Sequence, residues 1–299
     1  MKIVIVGLPY FAKKIAKNLN ETDITHNYSA IEIGAGIFKK AEYFLQIISA
    51  DVLYQIGGSH SCGGTLRLAT ALNKRIIMHW VGTDVLNLAN AFSRGEIDAK
   101  LITKTIHLCE VDWMQRELSD LDVYANIAQI ACFEDTIPTP AKFPDRFSIL
   151  TYVGKGREVF YGIGKLIALA RIFPEIEIRV AGISEYSEPL PPNMRLLGWI
   201  DNMTAEYENC VLYLRLPEHD GLAFSVLEAL ACGRYVGYAN KFPWTHKIDN
   251  DAALVEFVKS LIKKFDRNLL NVNSEGYDFV VKNYSRSQVM NNLIKIITG

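Results

Sequence analysis

The sequence predicts an α/β protein built from two doubly wound parallel-sheet domains in tandem. Three observations lead there. Short, nearly continuous apolar runs alternate with amphipathic helical stretches, the pattern of parallel strands covered by helices on both faces. The alternation runs twice, on either side of a segment carrying Pro138, Pro140 and Pro144. The 299 residues leave room for two domains at ~100–200 residues each.

The elements follow in order. Residues 3–6 are a β-branched run ending at Gly7 and read as a buried strand. Phe11, Ile15 and Leu19 recur at helical spacing, with Lys13, Lys14 and Lys17 on the opposite face. Further strands are expected at 52–56, 75–79, 101–106 and 127–131, and helices at 38–48 and 65–72. Proline is excluded from helix interiors and central strands, so 137–144 reads as a linker. The pattern then restarts, with strands at 149–153, 176–181, 194–197, 211–214 and 235–238. Helices are expected at 160–173, 205–209, 223–232, about 251–265 and 274–298. Such sheets bind ligands beyond the carboxyl ends of their strands, and two facing domains would place that crevice between them.

Composition narrows the function. Hydrophobic residues make up 49% and charged residues 22%, which excludes a disordered tail or a collagen. With 32 basic and 33 acidic side chains the net charge is −1, so no basic field is available for a nucleic-acid backbone. The five cysteines are odd in number and lack a CxxC pair, which points to reduced thiols rather than disulfides or zinc. No signal peptide and no apolar run of membrane-spanning length is found, so a cytoplasmic location is expected. Lys13, Lys14 and Lys17 beside Phe11 read as a solvated face, with peripheral contact to an anionic membrane as the other reading.

The chemistry concentrates in residues 215–236. A strand ends at Leu214, a loop carries Glu218, Asp220 and Gly221, and a helix begins near Ala223 and is closed by Gly233. A helix N-terminus approached through glycine suits a phosphate or another anionic oxygen. Glu228 lies among apolar helix neighbours, where a carboxylate needs a partner. The plainer alternative makes Asp220 a helix cap and puts Glu228 on a solvated stripe. Lys155 and Arg157 follow a strand and are, on the plainer reading, solvated loop residues.

The 215–236 segment resembles the donor-binding signature of retaining glycosyltransferases of family 4, which have the GT-B fold. The family frame E-G-F-x-x-x-x-L-E-A-M-A-x-G-x-P-V is matched at Gly221, Leu227, Ala229, Ala231, Gly233 and Val236. The acidic pair falls on Asp220 and Glu228, with Asp in place of the first Glu and Tyr235 in place of Pro. Tyr152-Val153-Gly154-Lys155 resembles the family's V-G-R, whose basic residue reaches the donor phosphates. A second family lysine falls on Tyr161, beside the matching Gly162, and Arg157 is its candidate substitute. Residues 173–182, 193–200 (including Leu197) and 284–288 resemble further family segments, and Gly82-Thr83-Asp84 resembles H-G-T-D with His79 two positions early.

The resemblance implies a GT-B architecture of two Rossmann-like domains facing across a cleft, the last helix crossing back to the first domain. It implies an acceptor-side domain at 1–140, a nucleotide-sugar donor domain at 141–280 and a bridging helix at 281–299. The implied catalytic residues are Asp220, Lys155, Asp84 and His79. The implied donor-binding residues are Glu228, Lys155, Arg157, Gly154, Gly221, Leu222, Ala223, Phe224 and Leu197. In this scheme Glu228 holds the ribose, Asp220 the sugar, and the cations stabilise the departing diphosphate. The expected substrates are a UDP-, GDP- or ADP-sugar and a sugar, lipid-linked or small-molecule acceptor, with no metal and no other cofactor. The alternatives are a nucleotide-sugar epimerase of the same fold and a non-catalytic nucleotide-sugar-binding protein. Capping remains the alternative for Asp84 and a core position for His79. The glycine-rich stretch 57–64 is assigned to an acceptor or sugar loop, with a merely flexible loop as the alternative. Asp120-x-Asp122 and Asp249-x-Asp251 are assigned to solvent or turns.

Overall fold

The computed structural model describes residues 1–32, 37–134 and 136–299, and the side chains of all of these except 37–39. The chain forms two compact units: Met1–Asp135 with Tyr284–Gly299, and Thr136–Asn283.

The first unit is built on a six-stranded sheet in the order β2-β1-β3-β4-β5-β6. Its strands are β1 (Lys2–Gly7), β2 (Asn27–Ala30), β3 (Val52–Ile56), β4 (Arg75–Trp80), β5 (Ile106–Cys109) and β6 (Ala125–Ile127), all parallel. Ile3, Val4 and Ile5 are fully buried, as expected of a strand covered on both faces. The helices are α1 (Pro9–Thr22), α2 (Ile37–Ser49), α3 (Gly64–Ala71), α4 (Thr83–Ser93), α5 (Ala99–Lys104) and α6 (Asp112–Ser119). Buried Ala12, Ile15 and Leu19 give α1 its inner face, while Phe11 is exposed.

The second unit has six parallel strands in the order β12-β11-β10-β7-β8-β9. They are β7 (Ser148–Tyr152), β8 (Glu177–Ala181), β9 (Met194–Gly198), β10 (Leu212–Arg215), β11 (Tyr235–Tyr238) and β12 (His246–Lys247). The helices are α7 (Ile163–Ile172), α8 (Thr204–Glu208), α9 (Phe224–Ala231), α10 (Asp251–Asp266) and α11 (Ser274–Asn283). Strand order reverses between β7 and β10, and in the first unit between β1 and β3. These are the topological switch points, where loops from neighbouring strands part and leave a crevice. The linker is pinned to the second unit by Arg234, which is wholly buried. Its guanidinium donates to the carbonyls of Cys232 (2.8 Å), Cys210 (2.9 Å) and Ala141, and lies over the Phe143 ring.

The last helix, α12 (Arg286–Thr298), belongs to the first unit, where it lies against α1. Arg75 forks onto the carbonyls of Ile296 and Ile297, each at 3.1 Å, and Arg286 pairs with Glu21.

Three expectations are corrected. Residues 101–104 form the end of helix α5, with β5 beginning only at Ile106. Asp98 caps that helix by accepting from Leu101 N at 3.0 Å, and a capped turn outweighs a short apolar run that fits either period. Strand β6 stops at Ile127, because the backbone N–H groups of Ile130 and Ala131 donate to the Glu110 side chain. The stretch 274–298 is two helices. The chain breaks where Phe133 N bonds Tyr284 O at 3.0 Å, and Ser285 restarts it as an N-cap. Among the described residues no helix is long and apolar enough to cross a membrane.

Candidate functional site

The carboxyl edge of the second sheet carries the donor-side candidates. Gly154 follows β7 after Val153. A Cβ on Gly154 would stand 2.8 Å from the Tyr161 ring, so glycine lets that ring lie against the backbone. Gly162 closes the loop at φ +77°, with its Cα facing the Leu216 carbonyl. The loop after β10 is tied to the loop after β7 by Glu218 N donating to Phe160 O at 2.9 Å. The two loops that flank the switch point are therefore held together by backbone.

Lys155 is exposed and pairs with exposed Glu185 at 3.6 Å. It lines an open cavity of about 460 Å³ with Gly156, Glu158, Ile183, Ser184 and Tyr186. An exposed pair of this kind is worth little and exchanges readily for another anion. Arg157 is exposed, its guanidinium 4.0 Å above the Phe160 ring. Leu197, half-buried, is near the end of β9.

Gly221, Leu222 and Ala223 are buried and lead into α9, whose first residue is Phe224. The N-cap is Ala223, with no side-chain cap. Asp220 therefore does not cap α9. Instead its carboxylate is gripped side-on by Arg215, with Nε to Oδ2 at 2.7 Å and Nη2 to Oδ1 at 3.1 Å. Tyr238, from β11, donates to Gly221 O at 2.8 Å. Burial alone would lower the Arg215 guanidinium, but the Asp220 charge outweighs it and holds the group above its ordinary range. Glu228, half-buried on α9, accepts from the Tyr207 hydroxyl of α8 at 3.1 Å.

The candidates of the first unit are placed differently. Asp84, in the first turn of α4, accepts from the backbone N–H groups of Gly58, Val81, Gly82 and Val85 at 2.5–3.1 Å. It knots the glycine loop after β3 to the turn after β4. His79 is fully buried within β4, with Nδ1 2.7 Å from the Tyr54 hydroxyl. Burial pushes its pKa down to about 3, so the ring stays neutral. The 57–64 loop lies at the β1/β3 switch point, and Gly58 packs flat on Trp80, where a Cβ would clash at 1.8 Å.

Two residues were missed by sequence reasoning. Arg215 ends β10 inside an apolar strand. A search for the partner of a semi-buried acid would have found it. Glu110, after β5, is buried with Oε1 accepting from Ile130 N and Ala131 N, each at 3.0 Å. Burial pushes its carboxyl up to about 7, and no local sequence signal marks it. Asp249 pairs with Lys247 at 2.6 Å and Asp251 starts α10. Among the described residues no group of three or more His, Cys, Asp or Glu side chains is arranged to hold a metal.

No protein-family model matches the sequence, and no curated protein does. Solved structures do match. The Anabaena protein Alr3699/HepE, in complex with UDP, superposes with a TM-score of 0.72 at 10% identity over 100% of both chains. The same protein in complex with UDP and glucose gives 0.69. Sucrose-phosphate synthase from Thermosynechococcus elongatus gives 0.69 at 11% identity, over 99% of this chain and 98% of that one. The fold is GT-B. A glycosyltransferase from Rickettsia africae ESF-5 is similar to the same extent, at 0.68 and 12% identity over 99% of this chain and 97% of that one. At such identities the likeness concerns the fold, and the chemistry rests on the residues themselves.

Proposed function

We propose that the chain is a retaining glycosyltransferase that moves a sugar from a nucleotide-diphospho-sugar to an acceptor hydroxyl. The observation that carries this reading is the meeting of two loops at the β7/β10 switch point. One bears Gly154, Lys155 and Arg157, and the other Asp220, joined by the Glu218–Phe160 backbone bond. A diphosphate leaving group gains charge as its bond to the sugar breaks. Lys155, Arg157 and the N-terminus of α9 are the groups assigned to stabilise it, without a metal. Glu228 is assigned to the ribose hydroxyls and Asp220 to the sugar hydroxyls. The second unit is the donor side and the first the acceptor side, where buried His79 and backbone-bound Asp84 hold the loops after β3 and β4 rather than touch substrate, and retention follows the family resemblance. The UDP and glucose bound to HepE support a UDP-sugar as the first donor to test.

Tyr161, standing where the resemblance has a lysine, favours one competing reading: a protein that binds a nucleotide-sugar without turnover. A thermal-shift screen against UDP-, GDP-, ADP- and dTDP-sugars comes first, since a ligand of the native state raises the melting point. The donor found is then titrated against Glu228→Ala. The expected result is about a tenfold or greater loss of affinity, or ~1.4 kcal/mol. Unchanged affinity would overturn the assignment. Sugar transfer to an acceptor supports the enzyme, and binding without turnover the competing reading.

A further inference from the structure

We propose that Arg215 is the positioning residue of Asp220, holding its carboxylate in the one orientation in which it accepts from sugar hydroxyls. The inference rests on the donor-site reading above and deepens it.

The geometry is that of a fork on a carboxylate. Both Asp220 oxygens are engaged by two parallel N–H donors from one guanidinium, at 2.7 and 3.1 Å, the arrangement that fixes orientation as well as charge. A carboxylate offers about four acceptor sites, of which the fork takes two, and the Tyr238 hydroxyl of β11 donates to Oδ2 at 3.5 Å. The two side chains are only 10% and 15% exposed, so solvent screens the pair weakly.

Arg215 is in turn fixed by aromatic rings. Its guanidinium carbon stands 4.9 Å from the Tyr161 centroid and 5.8 Å from that of Tyr152, and the two rings meet edge to face. Tyr161 reaches this place because Gly154 has no side chain to exclude it. A continuous layer thus runs from the glycine of the β7 loop through Tyr161 and Arg215 to Asp220. At the position where a lysine would point its charge at the phosphates, this chain has a ring that braces an arginine from β10.

An aspartate is one methylene shorter than the glutamate of the family frame, and a shorter arm benefits from being held in one rotamer. The geometry favours positioning over direct phosphate contact, because Nε and Nη2 are directed to Asp220. The signature is therefore a loss confined to the sugar-dependent part of affinity.

The test is calorimetric titration of the wild type, Arg215→Met, Arg215→Lys, Asp220→Asn and the Met/Asn double variant. The probes are UDP, GDP and ADP, each free and as its glucose conjugate, with circular dichroism and melting curves to check folding. In Arg215→Met the affinity for the bound conjugate should fall about tenfold, with the matching free diphosphate within about twofold. Asp220→Asn should do the same, and the double variant should lose little more, the non-additivity of two residues acting as one. Arg215→Lys keeps the charge without the fork and should fall between. If Arg215→Met does not fold, Arg215→Lys and Asp220→Asn carry the test. Equal losses for free diphosphate and conjugate, or additive losses in the double variant, would overturn the inference. So would a wild type that binds the free diphosphate as tightly as its conjugate, which leaves the donor-site reading standing. A wild type that binds none of the six probes overturns that reading and the inference together.

Discussion

Replacing Glu110 by Gln tests how the first unit handles a buried acid. In the native protein the carboxyl is enclosed, with Ile130 N and Ala131 N as donors to one oxygen, and burial raises its pKa from 4.5 to about 7. The folded state therefore keeps a proton that the unfolded chain releases between those two values. Below pH 4.5 both states are protonated and the group adds no pH dependence. As pH rises from 4.5 to 7 the unfolded state binds fewer protons than the native one, so stability falls. Above 7 the cost levels off at roughly 3 kcal/mol, from a shift of about 2.5 units at 1.36 kcal/mol each. Glutamine has the same length and can accept both backbone bonds, but it does not titrate. Urea unfolding at closely spaced pH values, followed on the first unit's transition, gives the difference between the variant and the wild type. That difference should move in the variant's favour by roughly 3 kcal/mol between pH 4.5 and 8. Parallel profiles, differing by a constant over that range, would refute the reasoning.

Other perturbations follow from the same contacts. Gly58→Ala puts a methyl into the Trp80 ring and should cost at least about 2 kcal/mol in denaturant unfolding, the range of overpacked core sites. Arg234→Met strips the carbonyls of Ala141, Cys210 and Cys232 of a buried donor. At about 1–3 kcal/mol per orphaned group it should destabilise the second unit severely, and protease cleavage at the 137–144 linker should accelerate. Asp84→Asn leaves one acceptor oxygen for N–H groups that now share two. It should lower the first unit's melting point, with an unfolding cost of about 1–3 kcal/mol.

Much of the architecture was legible because it is local. The alternation of apolar runs and amphipathic stretches marked β1, β3, β4 and most strands of the second unit, since a strand buried on both faces must be apolar along its length. Strand β2 escaped notice as a short edge strand, Asn-Tyr-Ser-Ala, with only Tyr28 buried. Helix α5 was misread because Leu101 and Ile102 suit either period, and the deciding residue, Asp98, acts from outside the run. For the site, the resemblance to the family frame picked out Gly154, Lys155, Asp220 and Glu228 as candidates. It said nothing of their partners.

The sequence by itself determined the two sheets, the linker and the loops that carry glycine and charge, because periodicity and turn chemistry are properties of neighbouring residues. Only the tertiary structure decided what each charged group does within its unit. It gave Asp220 an arginine instead of a helix end and spent Asp84 on four backbone N–H groups. It enclosed His79 as a neutral ring and buried Glu110 beneath the chain that leaves β6. These outcomes depend on which groups the fold brings into contact, and the free energy of a charge depends on those contacts far more than on its neighbours in sequence.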